Sequence, residues 1–157
     1  MHEQAVSYRK VGSHFVPHPE SDALVALLPH RPPFRFVDSV DALQPGVSVV
    51  ARYTVTGDEP FLAGHFPGNP VFPGVIQLEA IAQTGAIALL SDARYENKLP
   101  LFGGVEDVRF RRIVKPGDQL VLAMEMERLS ARGGWGRGSA QVDDAECCRG
   151  RFFFAIA

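Results

Sequence analysis

Cysteine, tryptophan and net charge are all scarce in this chain of 157 residues, which has two cysteines, one tryptophan and a formal charge of −2. Cys147 and Cys148 are adjacent, so they make a poor disulfide with each other, and no CxxC or Cys/His ligand spacing exists. Both are expected as reduced strand residues, with no structural metal. His2, His14 and His18 lie in a weakly patterned N-terminal segment, read as a flexible extension over residues 1–21 in preference to a metal clip. The near-balanced charge gives no basis for binding nucleic acid or an anionic membrane. Long apolar runs are also missing: Glu79 and Gln83 interrupt the longest before it reaches the roughly 18 residues of a membrane span. The opening MHEQAVSYRK has no apolar signal-peptide core, so the cytoplasm is the expected compartment.

What is present suits an ordinary globular protein, with 46% apolar and 22% charged residues. The length corresponds to about one domain, here residues 22–157, which would bury about 70% of its unfolded surface. A short helix is expected from Asp22 to Leu28, capped by Ser21 or Asp22 and stopped by Pro29. Pro29, Pro32 and Pro33 then force an extended path, in which His30 and Arg31 are expected to hold loop geometry. Strands are expected at Phe34–Val37 and Ser48–Val55, at Val108–Arg111 with Leu99–Val105 leading into it, from Leu120 through Met126, and in a final strand ending in Phe152–Ile156; a Gly-rich stretch around Gly133, Gly134 and Gly136 and then Gly138–Val142 lie between the last two. Several consecutive strands after one buried helix predict an antiparallel sheet wrapped around it, an α+β architecture.

That helix belongs to the most informative stretch, GHFPGNPVFPGVIQLEAIAQ, from Gly64 to Gln83. Its first half carries Pro67, Pro70 and Pro73 among glycines, which predicts a rigid, non-helical loop. Val75 to Leu90 reads as a helix apolar nearly all round, hence buried, with Glu79 its only ionisable residue. A carboxylate there must find a partner, shift its pKa or react. Gln83 follows at i+4 and is placed to orient Glu79, while the first turn after Pro73-Gly74 leaves backbone N–H groups open to negative charge. With His65 in the loop, one segment supplies two acid–base groups, an orienter and an oxyanion donor.

The stretch resembles the signature of the FabZ-type 3-hydroxyacyl-(acyl-carrier-protein) dehydratases, a hotdog-fold family. The family's HFPxxPxxPG, an acidic residue and AxAQ are matched by His65, Phe66, Pro67, Pro70, Pro73, Gly74, Glu79, Ala80, Ala82 and Gln83. The resemblance extends through LPHRPPFRFVD (Leu28 to Asp38) and VEDVRFRRIVKPGDQL (Val105 to Leu120). It implies removal of water from a 3-hydroxyacyl chain carried on the phosphopantetheine of an acyl carrier protein. His65 would be the base, Glu79 the acid, Gln83 the orienter and the Gly74 N–H the donor to the thioester carbonyl. No metal and no organic cofactor is implied. His65 and Glu79 of one site would come from different subunits of a homodimer, alone or in a trimer of dimers. Arg111 and Arg112 are the candidates for docking the acidic carrier, and Phe102 the candidate for the tunnel entrance. Cys147-Cys148-Arg149-Gly150-Arg151 departs from the more acidic strand of relatives and adds positive charge. A hotdog thioesterase, a dehydratase–isomerase (which typically has Asp where this chain has Glu79) and a non-catalytic hotdog subunit are the competing readings.

Overall fold

The structure is a computed structural model. It describes residues 17–157 and, ahead of them, only a backbone pairing of β1 (Lys10–Val11) with β2 (His14–Phe15). Most of the extension expected over residues 1–21 thus lies outside the described residues. The end of it is anchored, because the His18 N–H donates to the Val40 carbonyl at 2.8 Å and the Ser21 hydroxyl accepts from the Val40 N–H at 2.8 Å. Ser21 is therefore not the expected cap. It opens a shorter helix, α1 (Ser21–Val25), and its side chain is spent on the neighbouring strand.

The remaining strands are β3 (Ser39–Gln44), β4 (Ser48–Thr54), β5 (Pro100–Phe110), β6 (Gln119–Ser130), β7 (Gly133–Val142) and β8 (Ala145–Ile156). They form one six-stranded antiparallel sheet in the order β3-β4-β6-β7-β8-β5. The sheet curls around α2 (Gly74–Leu90), which meets β4, β5, β6, β7 and β8. Ala80, Ile81, Ile87 and Ala88 of the helix are buried with Leu120, Leu122 and Met124 of β6 and Phe152 and Phe154 of β8. No helix among the described residues is long and apolar enough to cross a membrane.

One expected element comes out differently, for a tertiary reason. Phe34–Val37 is not a strand: the Phe36 N–H and the Phe34 carbonyl both bond the side chain of Gln83, so no neighbouring strand takes them. The strand that pairs with β4 begins at Ser39 instead. The Gly-rich stretch at 133, 134 and 136 belongs to β7. They permit close packing. A Cβ on Gly136 would lie 2.7 Å from the Met124 sulfur, and one on Gly138 would collide with Ile81 of α2. Gly85 plays the same part on the helix, where a Cβ would lie 2.7 Å from the Phe154 ring. Helix and sheet therefore meet at near-backbone distance.

Glu59 fixes the turn that leads into the His65 loop. Its carboxylate accepts from the Tyr53 hydroxyl at 2.8 Å and from the N–H groups of Thr56 and Gly57 at 2.9 Å each. Burial by itself raises its pKa, but these donors outweigh it and hold the group below its ordinary 4.5. A depressed carboxylate stabilises the fold above its unfolded pKa, and that stability is lost as pH falls through the folded value. Glu59→Gln should lower stability at neutral pH by about 1.5–3 kcal/mol, the range for hydrogen bonds to a charged group. Urea midpoints should show the gap to wild type narrowing as pH falls below 4.5. A gap independent of pH would mean that the charge contributes nothing.

Candidate active site

The segment before α2 is shaped by proline and by paired backbone groups. The Val71 N–H donates to the His65 carbonyl at 2.8 Å, and the Asn69 N–H to the Phe66 carbonyl at 2.9 Å, so residues 65–71 fold back on themselves. The His65 ring closes the same loop, with Nδ1 2.8 Å from the Val71 carbonyl oxygen. A carbonyl can only accept, so Nδ1 carries the proton and Nε2 keeps a lone pair. The ring is half-buried and stacks on Phe66 with centroids 4.3 Å apart.

Pro73 precedes α2, and no side chain caps the helix. The N–H groups of Ile76 and Gln77 both turn to the Pro73 carbonyl at 3.0 Å, and those of Gly74 and Val75 have no acceptor among the described residues. This is the open helix end anticipated for Gly74. Phe110 lies against it, since a Cβ on Gly74 would lie 2.7 Å from its ring. The expectation of a helix with no wet face holds for most of α2 but fails at its start, where Val75 is 69% exposed.

Glu79 has its side chain 20% exposed. Its Oε1 accepts from Gln83 Nε2 at 3.0 Å, the i+4 contact the sequence predicts. Gln83 is 1% exposed, and its amide orientation is forced by its neighbours. The Phe36 N–H can only donate, so Gln83 Oε1 faces it at 2.8 Å. The Phe34 carbonyl can only accept, so Nε2 faces it at 3.0 Å. The NH2 aimed at Glu79 makes Oε1 the acceptor oxygen, which leaves Oε2 to hold the proton of the acid form and to reach a ligand. Within one chain no hydrogen bond or ion pair among the described residues joins His65 to Glu79.

One contact at this carboxylate escaped the sequence reading. His30 Nε2 stands 3.6 Å from Glu79 Oε1. Arg31 does serve loop geometry as expected, through Nη1 to the carbonyls of Leu28 at 2.6 Å and His30 at 2.7 Å. The His30 ring faces the helix instead. No spacing rule links positions 30 and 79, so the pairing was invisible before the fold.

The proposed docking residues are less bare than their sequence suggests. Arg111 Nε pairs with Glu146 at 2.8 Å, and Arg112 Nη1 donates to the Val142 carbonyl at 3.2 Å. Phe102 lies on the outermost strand β5, partly exposed, with its ring 5.5 Å from Phe152.

Comparison with known proteins bears on this geometry. Residues 28–151 match the family described as the FabA-like domain. The chain is 47% identical over 133 residues to the 3-hydroxyacyl-(acyl-carrier-protein) dehydratase FabZ of Chloroflexus aggregans, covering 85% of this chain and 92% of that protein. It is 48% identical over 130 residues to the FabZ of Symbiobacterium thermophilum, covering 83% and 92%. Among solved structures it resembles the dehydratase heterocomplex ApeI:P from Xenorhabdus doucetiae, with a TM-score of 0.57 and 18% identity over 73% of this chain and 92% of that one. A hypothetical thioesterase with coenzyme A from Streptococcus pneumoniae scores 0.58 at 11% identity, over 75% and 84%. These structural likenesses support the hotdog fold and do not separate the chemistries it hosts. The family match over residues 28–151 and the near-full-length FabZ relatives do separate them, and the chain belongs to the FabA-like family as a FabZ-type 3-hydroxyacyl-(acyl-carrier-protein) dehydratase.

Proposed function

We propose that the chain removes water from a 3-hydroxyacyl group carried on an acyl carrier protein, giving the trans-2-enoyl product in fatty-acid or related polyketide- or polyene-type biosynthesis. The observation that supports it most is that the chain carries both a His65 ring protonated on Nδ1 and a Glu79 carboxyl held through Oε1. His65 Nε2 takes the C2 proton. The electron pair forms the C2–C3 double bond as the C3–O bond breaks. Glu79 delivers its proton from Oε2 to the departing hydroxyl, which leaves as water. The open N–H of Gly74 stabilises the charge that gathers on the thioester oxygen. A homo-oligomer in the cytoplasm, a dimer or a trimer of dimers, would bring His65 of one subunit to Glu79 of another. Incubation with a 3-hydroxyacyl carrier thioester and product mass analysis tests the whole reading. A 2-enoyl thioester supports it, whereas a 3-enoyl thioester would make the chain an isomerase and free acid a thioesterase.

His65→Ala and Glu79→Gln should each lower turnover by about 10² to 10⁴-fold, the range for a positioned acid or base. Both should fold, because neither side chain is fully buried. Near-wild-type turnover in either variant would remove that residue from the chemistry. Refolding the two inactive variants together should restore part of the activity, since a mixed dimer carries one intact site. No recovery in proven heterodimers would assign both residues to one subunit.

Arg111 and Arg112 are proposed to steer the acidic carrier. Reversing both to Glu should raise the apparent KM for carrier-linked substrate and flatten its salt dependence, because such attraction is screened over about 8 Å at physiological ionic strength. A short carrier-free thioester should be turned over as before. Equal effects on both substrates would sink the docking role.

A further inference from the structure

Glu79 Oε1 is approached from two sides, by Gln83 Nε2 at 3.0 Å and by His30 Nε2 at 3.6 Å. The His30 side chain is 27% exposed, and its Nδ1 is buried with no hydrogen-bond partner among the described residues. A neutral ring protonated on Nδ1 would bury an unpaired donor and turn the Nε2 lone pair toward a carboxylate oxygen, and both are unfavourable. With the proton on Nε2, the ring instead aims an N–H at Oε1. Its position is fixed on both flanks. Arg31 bonds back to Leu28 on one side, and Gln83 grips Phe34 and Phe36 on the other. A separation of 3.6 Å is longer than a hydrogen bond, but contacts of this kind commonly tighten only once substrate is bound.

We infer that His30 is a positioning residue for the dehydration. Its Nε2–H closes on Glu79 Oε1 as Glu79 gives up the proton from Oε2, so it stabilises the carboxylate being formed and keeps Oε2 directed at the substrate hydroxyl. His30 touches no reacting atom and exchanges no proton with substrate. This inference rests on Glu79 being the acid, and it deepens that assignment: one oxygen is held by two donors while the other does the chemistry. It also departs from the loop-geometry role that the sequence suggests for His30.

A double-mutant cycle tests it on the intact oligomer, with turnover and KM measured for a carrier-linked 3-hydroxyacyl substrate. His30→Ala should lower kcat by about 10 to 100-fold, the range for a partner that orients a reacting group, with KM little changed. His30→Gln should recover most of the loss, because its carboxamide NH2 can occupy the place of Nε2–H; it also serves if the alanine variant fails to fold. In a Glu79→Gln background, His30→Ala should add little further loss, since the two act as one unit. Full activity in His30→Ala, or an equal loss in both backgrounds, overturns the inference while leaving Glu79 as the acid. Full activity in Glu79→Gln alone overturns both, so the two failures are told apart by that single variant.

Discussion

The carboxamide of Gln83 holds the site together. It lies buried in the middle of α2 and makes three directed contacts, accepting from the Phe36 N–H and donating to the Phe34 carbonyl and to Glu79. The buried Phe36 N–H would otherwise be a donor shut away from water, at about 1–3 kcal/mol. The loop over residues 28–36 therefore has a single place to sit, and the carboxylate of Glu79 a single oxygen to present. Replacement of Gln83 by a hydrocarbon would leave all three partners unmet, a penalty well beyond that of the lost contacts.

Much of the site can be read from the chain because it depends on local rules. Three prolines fix the loop that carries His65, the i+4 spacing puts Gln83 beneath Glu79, and Pro73-Gly74 opens the helix without a cap. The buried helix and the antiparallel sheet follow from composition and period in the same way. What escaped was set by partners distant in sequence. Phe34–Val37 has the alternation of a strand, yet its backbone groups are claimed by a glutamine 47 to 49 residues away. Gly133, Gly134 and Gly136 carry no strand signal because a sheet interior normally rejects glycine, and contact with Met124 and the neighbouring backbone explains them. His30 is the sharpest case, since its role is defined wholly by the element across from it.

The added positive charge near the C-terminus also changes meaning once folded. Arg151 bonds Glu106 at 2.6 Å and Glu127 at 3.0 Å, and its guanidinium lies 4.1 Å from the centre of the Trp135 ring. Glu127 also holds Arg137, while Arg149 leans toward Glu146 at 3.8 Å. Arg137 and Arg151 alternate with Gly138 and Phe152, which pack toward α2, and so lie on the other side of the sheet. A run that reads as a basic patch is therefore largely compensated within the sheet. Arg111 shares that fate through the same Glu146. The field a carrier would meet is smaller than a count of arginines implies.

The grip on Phe34 and Phe36 has a consequence for motion. Local opening of a segment requires breaking its bonds and wetting what they covered, so the stretch around Phe34 and Phe36 cannot lift away without freeing the buried amide of Gln83. That stretch is tied to the helix although it has no regular secondary structure. The loop from Gly64 to Pro70 is tied mainly to itself, and the space beside Gly64 and Gly68 is open. The two flanks of the candidate site are therefore held differently, one by the side chain of the long helix and the other by its own backbone bonds.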